Sequence, residues 1–273
     1  MSNIPCTVAI LTLNSGTVLR RCLESVKDFK EIVVCDGNST DDTLAIAREY
    51  GCKIIKQYDS DEPNLRCERD KANVRNKALD ASSYDWHFYL DSDDALSPEA
   101  VDEIRKITAA NKPSPRIYKM PLRVIIGATN IITHSSNYPY IQMRLFNKRA
   151  GFRFSGDVHE KIRIDEKTEP VGTMCGYYDV HWSRDRIRNI FSGMRSYAEW
   201  EAEVYKKKPF GGYLKEVWFR IRAFSRVALV SLYNYVRYGF AHTMPLRVEL
   251  ARLYYHAYLL SLMTKKQLKQ DNV

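Results

Sequence analysis

The chain of 273 residues has no apolar run long enough to cross a bilayer as a helix. In the basic last third the uncharged, apolar-rich stretch Val227–Val236 falls far short of the ~20 residues that spanning requires. Met1–Pro5 has neither a basic segment nor an apolar one, so secretion is not expected. Cysteine is scarce: Cys6, Cys22, Cys35, Cys52, Cys67 and Cys175 show no metal-ligand spacing, and several sit inside apolar runs. Free thiols in a reducing, cytoplasmic setting are the expectation. No Gly-x-Gly-x-x-Gly follows the first apolar run, which disfavours a dinucleotide-dependent oxidoreductase. Internal repeats, low-complexity tracts and nucleic-acid recognition motifs are also lacking, and no nucleic-acid partner is expected.

What is present begins with charge. The net charge is +9, and hydrophobic residues make up 45% of the chain, enough for a real core. Residues 1–183 hold 25 Lys and Arg against 26 Asp and Glu, whereas residues 184–273 hold 17 against 7. All the excess positive charge therefore sits in the last third. That asymmetry divides the chain into a domain over 1–183 and a basic, amphipathic helical region over 184–273, and it asks for an anionic partner.

The first hundred residues alternate short apolar runs with helical periodicity. Thr7–Leu13, Glu31–Cys35, Lys53–Lys56 and Trp86–Leu90 read as strands. Helices are expected from Leu19 to Val26, from Asp41 to about Tyr50, over Glu68–Ala81, and from Ser97-Pro98-Glu99 to about Ala110. Such alternation predicts an α/β fold with a mostly parallel sheet. Ligands of these sheets bind at the carboxyl ends of strands, where Asp36 and Asp91 fall. Beyond Arg116 the pattern changes to strands separated by loops, at Arg116–Val124, Tyr140–Asn147, Val158–Ile164 and Cys175–Trp182.

Asp91-Ser92-Asp93-Asp94 follows the fourth strand directly. Carboxylates two apart at a strand end can converge on one hard cation such as Mn2+ or Mg2+. The plainer alternative is a solvated loop in which Asp94 and Ser97 cap the next helix. Arg184 and Arg186 could face an anionic acceptor or simply open a solvated helix.

Four segments in series, Thr7–Leu13 with Asn14-Ser15, Val33–Asp42, Arg75-Asn76 and Leu90–Asp94, resemble family-two glycosyltransferases of the GT-A fold. The resemblance implies a nucleotide-sugar donor, UDP-sugar favoured, and a divalent cation held by Asp91 and Asp93, with Asp93 the first choice as ligand. It places the nucleoside beside Asn14 and Asp36, although Gly37 stands where many relatives carry a second acid. It sets Arg75 near the donor phosphates, as an alternative to a surface ion pair. Gly156-Asp157-Val158-His159-Glu160 resembles the Val-His-Glu element of transferases acting on cell-surface glycans. Inverting transfer needs a base for the acceptor hydroxyl, and Glu160 is favoured, with Asp157 second. His159 reads more readily as a packed histidine. By the same resemblance, His181 could complete the metal site.

The basic tail interleaves Lys206-Lys207-Lys208, Arg220, Arg222, Arg226 and Arg237 with Trp218, Phe219, Phe224, Tyr233 and Tyr238. Amphipathic helices of this kind lie on anionic membranes, at the inner face of the cytoplasmic membrane here. The other reading is an ordinary helical subdomain. The expectation is therefore an inverting, metal-dependent glycosyltransferase working on a membrane-associated glycan or lipid-linked acceptor, as in lipopolysaccharide biosynthesis. The alternative is a non-catalytic protein that binds nucleotide sugars or assembles complexes at the membrane.

Overall fold

The computed structural model describes residues 3–110, 114–127, 129–156 and 160–268. In chain order its elements begin with β1 (Ile4–Thr12), α1 (Gly16–Ser25), β2 (Phe29–Asp36), α2 (Thr43–Glu49), β3 (Lys53–Lys56) and α3 (Lys71–Asp80). Then come β4 (Trp86–Asp91), β5 (Asp94–Leu96), α4 (Pro98–Thr108), β6 (Ile117–Ile126), β7 (Asn130–Ile132) and β8 (Tyr140–Asn147). The last are β9 (Phe154–Ser155), β10 (Lys161–Ile162), β11 (Val171–Thr173), β12 (Tyr178–Trp182), α5 (Arg184–Arg188), α6 (Ile190–Val204), α7 (Phe210–Tyr238) and α8 (Leu246–Leu268). The main sheet runs in the order β3-β2-β1-β4-β8-β6-β12-β5. Its first four strands are parallel, and β8 then pairs antiparallel with both β4 and β6.

The chain divides into two compact units, one of Met1–Arg123 with Tyr140–Val180 and one of Val124–Pro139 with His181–Val273. In the first unit, β1 and β2 lie mid-sheet and are buried on both faces, which is why they read as unbroken apolar runs. α1 lays Leu19, Cys22 and Leu23 inward. α4 has a strong start: Ser97 Oγ accepts from Ala100 N at 3.3 Å, Pro98 and Glu99 occupy the first turn, and Arg105 and Lys106 the last. Ser97 is the cap; Asp94 is instead a buried strand residue.

The strands of residues 4–12, 29–36 and 86–91 begin or end within a few positions of the sequence reading. The expected strand over 158–164 is described only at Lys161–Ile162, and the last expected strand starts later, at Tyr178. Gly176 explains that late start. A Cβ there would lie 2.4 Å from the backbone of Ala100, so the 174–177 turn packs directly on α4. Glu103 then accepts from the backbone N–H groups of Cys175 and Gly176, at 3.0 and 2.8 Å.

The second unit is built on α6, α7 and α8. Ala198 and Ala202 of α6 let Leu259 and Met263 of α8 pack closely. The 130–139 segment is tied to α8 through Glu249, buried, which accepts from Ser136 N and Oγ at 3.0 and 2.6 Å and pairs with Arg252. Nearby the His134 ring stacks on Tyr238 at 3.7 Å.

One buried histidine sets a pH dependence. Ser82 Oγ donates to the Ala78 carbonyl at 3.0 Å, so His87 Nδ1 must donate to Ser82 Oγ across 2.9 Å. Its Nε2 is then a buried acceptor without a partner. Burial, reinforced by the charges of Arg75 and Lys148, lowers the imidazole from 6.5 to about 3. Below the unfolded value the unfolded chain binds a proton that the native state refuses, so stability falls as pH drops from 6.5 toward 3. In denaturant titrations between pH 7 and 4.5, His87→Leu is expected to lose acid stability less steeply than the parent. Equal slopes would mean that native His87 takes up its proton.

Candidate active site

The carboxyl ends of β1, β2 and β4 lie level: Thr12 is in register with Asp36, and Leu11 with Asp91. The strand order reverses beside β1, the position at which open α/β sheets bind their ligands. Asp36 is buried, and its carboxylate accepts from Thr12 Oγ1 at 2.7 Å, Ser39 N at 2.7 Å and Ser39 Oγ at 2.6 Å. It therefore organises the loop after β2. Asn14 does the same after β1: it adopts a positive φ of 47°, its Nδ2 donates to Asn64 at 2.7 Å, and its Oδ1 accepts from Thr40 N at 2.9 Å. Gly37 has a steric reason to be glycine. A Cβ there would come within 2.3 Å of the Leu65 carbonyl, so an acid at this position needs the 57–70 loop elsewhere.

Beyond β4 the chain turns sharply into β5. Asp94 points inward, and its Oδ2 accepts from Asp91 N at 3.2 Å, closing the turn. Ser92 is tethered to the β1 end by Ser15 Oγ at 2.8 Å, and Arg21 reaches the Asp93 carbonyl at 3.4 Å. This turn leaves the Asp91 side chain partly open, at 34% exposed.

Arg75 is the centre of the charge cluster. Its guanidinium is buried on α3, with Nη2 donating to Asp91 Oδ1 at 2.8 Å and Nε to Glu160 Oε1 at 3.1 Å. Lys71, one helical turn earlier, approaches the same two carboxylates at 3.9 and 3.8 Å. Arg75 lies 4.4 Å from the Tyr89 ring centroid, and Arg144 lies 4.6 Å from that ring and 4.0 Å from Tyr178. Arg144 also donates to the Tyr89 carbonyl at 3.2 Å and pairs with Asp94 at 3.5 Å. The Tyr89 hydroxyl donates to Met143 O at 2.7 Å, fixing the ring. Burial alone raises the Asp91 carboxyl, but Lys71, Arg75 and Arg144 together outweigh it and hold it well below the usual carboxylate range. Burial pushes Asp94 the other way, upward, with Arg144 opposing and the charges of Asp91 and Asp93 assisting.

The fold thus brings Arg75, Asp91 and Glu160 together, with Asn14 and Asp36 at neighbouring strand ends. Asp93 follows in the same turn. Asp157 and His159 lie outside the described residues. His181, Arg184 and Arg186 belong to the second unit: His181 is near the end of β12, Arg184 opens α5, and Arg186 lies 4.8 Å from the Trp182 ring. Lys71, Tyr89 and Arg144 were missed in the sequence. For Lys71 there was a signal, since it precedes Arg75 by four on a helix; Arg144 had none, because its partners come from strands far apart in the chain.

The profile of glycosyl transferase family 2 matches residues 7–164. The chain belongs to that family. Its fold is accordingly the α/β, GT-A arrangement, followed by a helical C-terminal region. A TPR repeat-containing protein of Synechococcus elongatus is 32% identical over 158 residues, 57% of this chain and 35% of its own length. The lipopolysaccharide core biosynthesis glycosyltransferase LpsC of Rhizobium meliloti is 32% identical over 165 residues, 58% of this chain and 57% of its own. The chain thus spans about a third and somewhat over half of these relatives. The structure of S. aureus TarS 1-349 in complex with UDP aligns over 98% of this chain and 92% of that one, at 17% identity and a TM-score of 0.45, a loose likeness.

The carboxylates of the turn after β4 are the hard oxygen type that suits a divalent cation. Asp91, partly exposed, offers such oxygens, and Asp93 follows it two positions on in the same turn. Among the described residues no three His, Cys, Asp or Glu side chains gather as a metal cage. Two carboxylates, with phosphate and water completing the shell, are the way Mg2+ is commonly held.

Removing Arg144 would strand Asp94 in the interior. Arg144→Met is expected to cost ~3–5 kcal/mol in denaturant titration, and Asp94→Asn in the same background should recover part of that loss. Independent, additive effects of the two substitutions would show that the pair is not coupled.

Proposed function

We propose that this family-2 chain is an inverting glycosyltransferase that moves a sugar from a nucleotide diphosphate donor, UDP-sugar first, to a cell-surface glycan or lipid-linked acceptor. The observation that carries this reading is the bridge made by Arg75. It joins Asp91, at the end of β4, to Glu160, which lies 85 positions beyond Arg75 along the chain. One buried guanidinium thus sets the carboxylate of the Asp91-x-Asp93 element beside a candidate base. Residues 1–183 carry the transfer chemistry and residues 184–273 the basic helical region.

In this reading Asp91 and Asp93 hold a Mn2+ or Mg2+ ion, which when bound neutralises charge developing on the departing diphosphate. Asn14 and the Asp36 loop border the nucleoside, with Asp36 acting through Ser39 and Thr12. Lys71 and Arg75 are cations close enough to the turn to receive phosphate oxygens. Glu160, oriented by Arg75 Nε, takes the proton from the acceptor hydroxyl as that oxygen attacks the anomeric carbon. The bond from anomeric carbon to diphosphate oxygen breaks on the opposite face, so configuration inverts. Asp157 stands second to Glu160 as base. Arg184 and Arg186 recognise an anionic acceptor, and His181 is a third candidate ligand. The sequence similarity to LpsC supports a lipopolysaccharide-type acceptor, and six free cysteines are compatible with work on the cytoplasmic side of the membrane.

The test is transfer from a panel of nucleotide sugars in Mn2+, with product read by mass spectrometry. Asp93→Ala is expected to lower turnover on the order of 10²-fold or more. Glu160→Gln should lower kcat while leaving donor KM near the parent value, because the amide oxygen still accepts from Arg75. Undiminished turnover in either variant removes that assignment. Tight donor binding with no transfer to any glycan would favour the non-catalytic binding protein.

A further inference from the structure

Helix α7 exposes most of its large apolar side chains and buries several of its polar ones. Its inward side holds Glu216 and Arg220, paired with each other at 3.4 Å and with Lys208 and Glu201 respectively, and farther along the buried Val227, Ser231 and Asn234. Ser231 Oγ has no hydrogen-bond partner there. Its outward side holds Leu214, Trp218, Ile221, Leu229, Leu232 and Val236, which are 48–80% exposed. At 3.6 residues per turn these six fall within an arc of about 80°, and they extend along ~33 Å of helix. Beside that stripe lies a second one made of Lys215, Arg222, Arg226 and Arg237, all exposed. The Arg222 guanidinium lies 5.4 Å from the Trp218 ring, on the border between the two. Glu216 is the helix's only acid, and it is turned inward.

We propose that this face seats α7 in the plane of an anionic bilayer, with the apolar stripe at the acyl boundary and the basic stripe among the headgroups. No helix among the described residues is long and apolar enough to cross a membrane, so contact is along the surface. Charge complementarity selects the occupant. A broad apolar stripe flanked by cations alone matches a layer that is apolar below and negative above. A second copy would bring an equally positive flank against this one. The inference is independent of the transfer reaction, since no residue of the face belongs to the candidate active site.

Flotation of the full chain on phosphatidylcholine vesicles, with and without phosphatidylglycerol, tests it. The parent is expected to float with the anionic vesicles, less so as salt rises, and poorly with the neutral ones. Leu229→Ser with Leu232→Ser and Val236→Ser should weaken anionic binding at least about 10-fold. Arg222→Glu with Arg226→Glu should abolish the preference for phosphatidylglycerol. These side chains face outward, so circular dichroism and thermal melting should match the parent, and transfer to a water-soluble acceptor should persist. Trp218 fluorescence should shift blue with vesicles and be quenched by brominated lipid. The proposal is overturned by absent flotation, by flotation indifferent to both sets of substitutions, or by a concentration-dependent dimer in sedimentation that the serine substitutions dissolve.

Discussion

A carboxylate removed from water must find a positive partner, and at the end of β4 that requirement organises everything nearby. Asp91 and Asp94 come from one turn, and the interior supplies Arg75 and Arg144 to answer them. Both guanidiniums rest against Tyr89, so their mutual repulsion is relieved by the ring and by the acids they serve. Separating Arg144 from Asp94 leaves a buried charge uncompensated, which is far costlier than the net worth of the pair. The cluster therefore holds α3, β4, β8 and Glu160 in one relation.

That relation also makes the reading of the site chemical rather than topological. Many α/β sheets present acids at their strand ends. Fewer bring a second carboxylate, Glu160, to the same buried arginine and place a lysine within about 4 Å of both. Membership of glycosyl transferase family 2 supplies the context, and the loops after β1 and β2 supply a wall in which Asn14, Ser39 and Asp36 are already knitted together. The Gly37 position shows how closely that wall is built: the segment at Leu65 occupies the space that an acid would need.

The second unit is governed by a different economy. α6 and α8 meet through alanines and long aliphatic side chains, as helices in water do. α7 instead turns its charged pair and small polar residues inward beside Val227, and most of its large apolar ones outward. Composition had already placed the positive excess in this third of the chain. Only the direction of each side chain distinguishes an ordinary subdomain from a surface made to meet something apolar and negative.

The sequence by itself determined the alternation of strands and helices, the strand ends at Asp36 and Asp91, and the ordered family segments. These are local matters: a buried parallel strand must be apolar throughout, and a cap such as Ser97 acts on the residues directly after it. Tertiary structure alone decided that Arg75 joins Asp91 to Glu160, that Arg144 answers Asp94, and that Asp36 is spent on its own loop. The two arginine pairings join residues from separate elements, so no spacing along the chain encodes them, and Asp36 is further held by Thr12 from the neighbouring strand. The outward stripe of α7 was half legible for the same reason. Periodicity shows that a helix has two faces, but packing against its neighbours chooses which one is hidden.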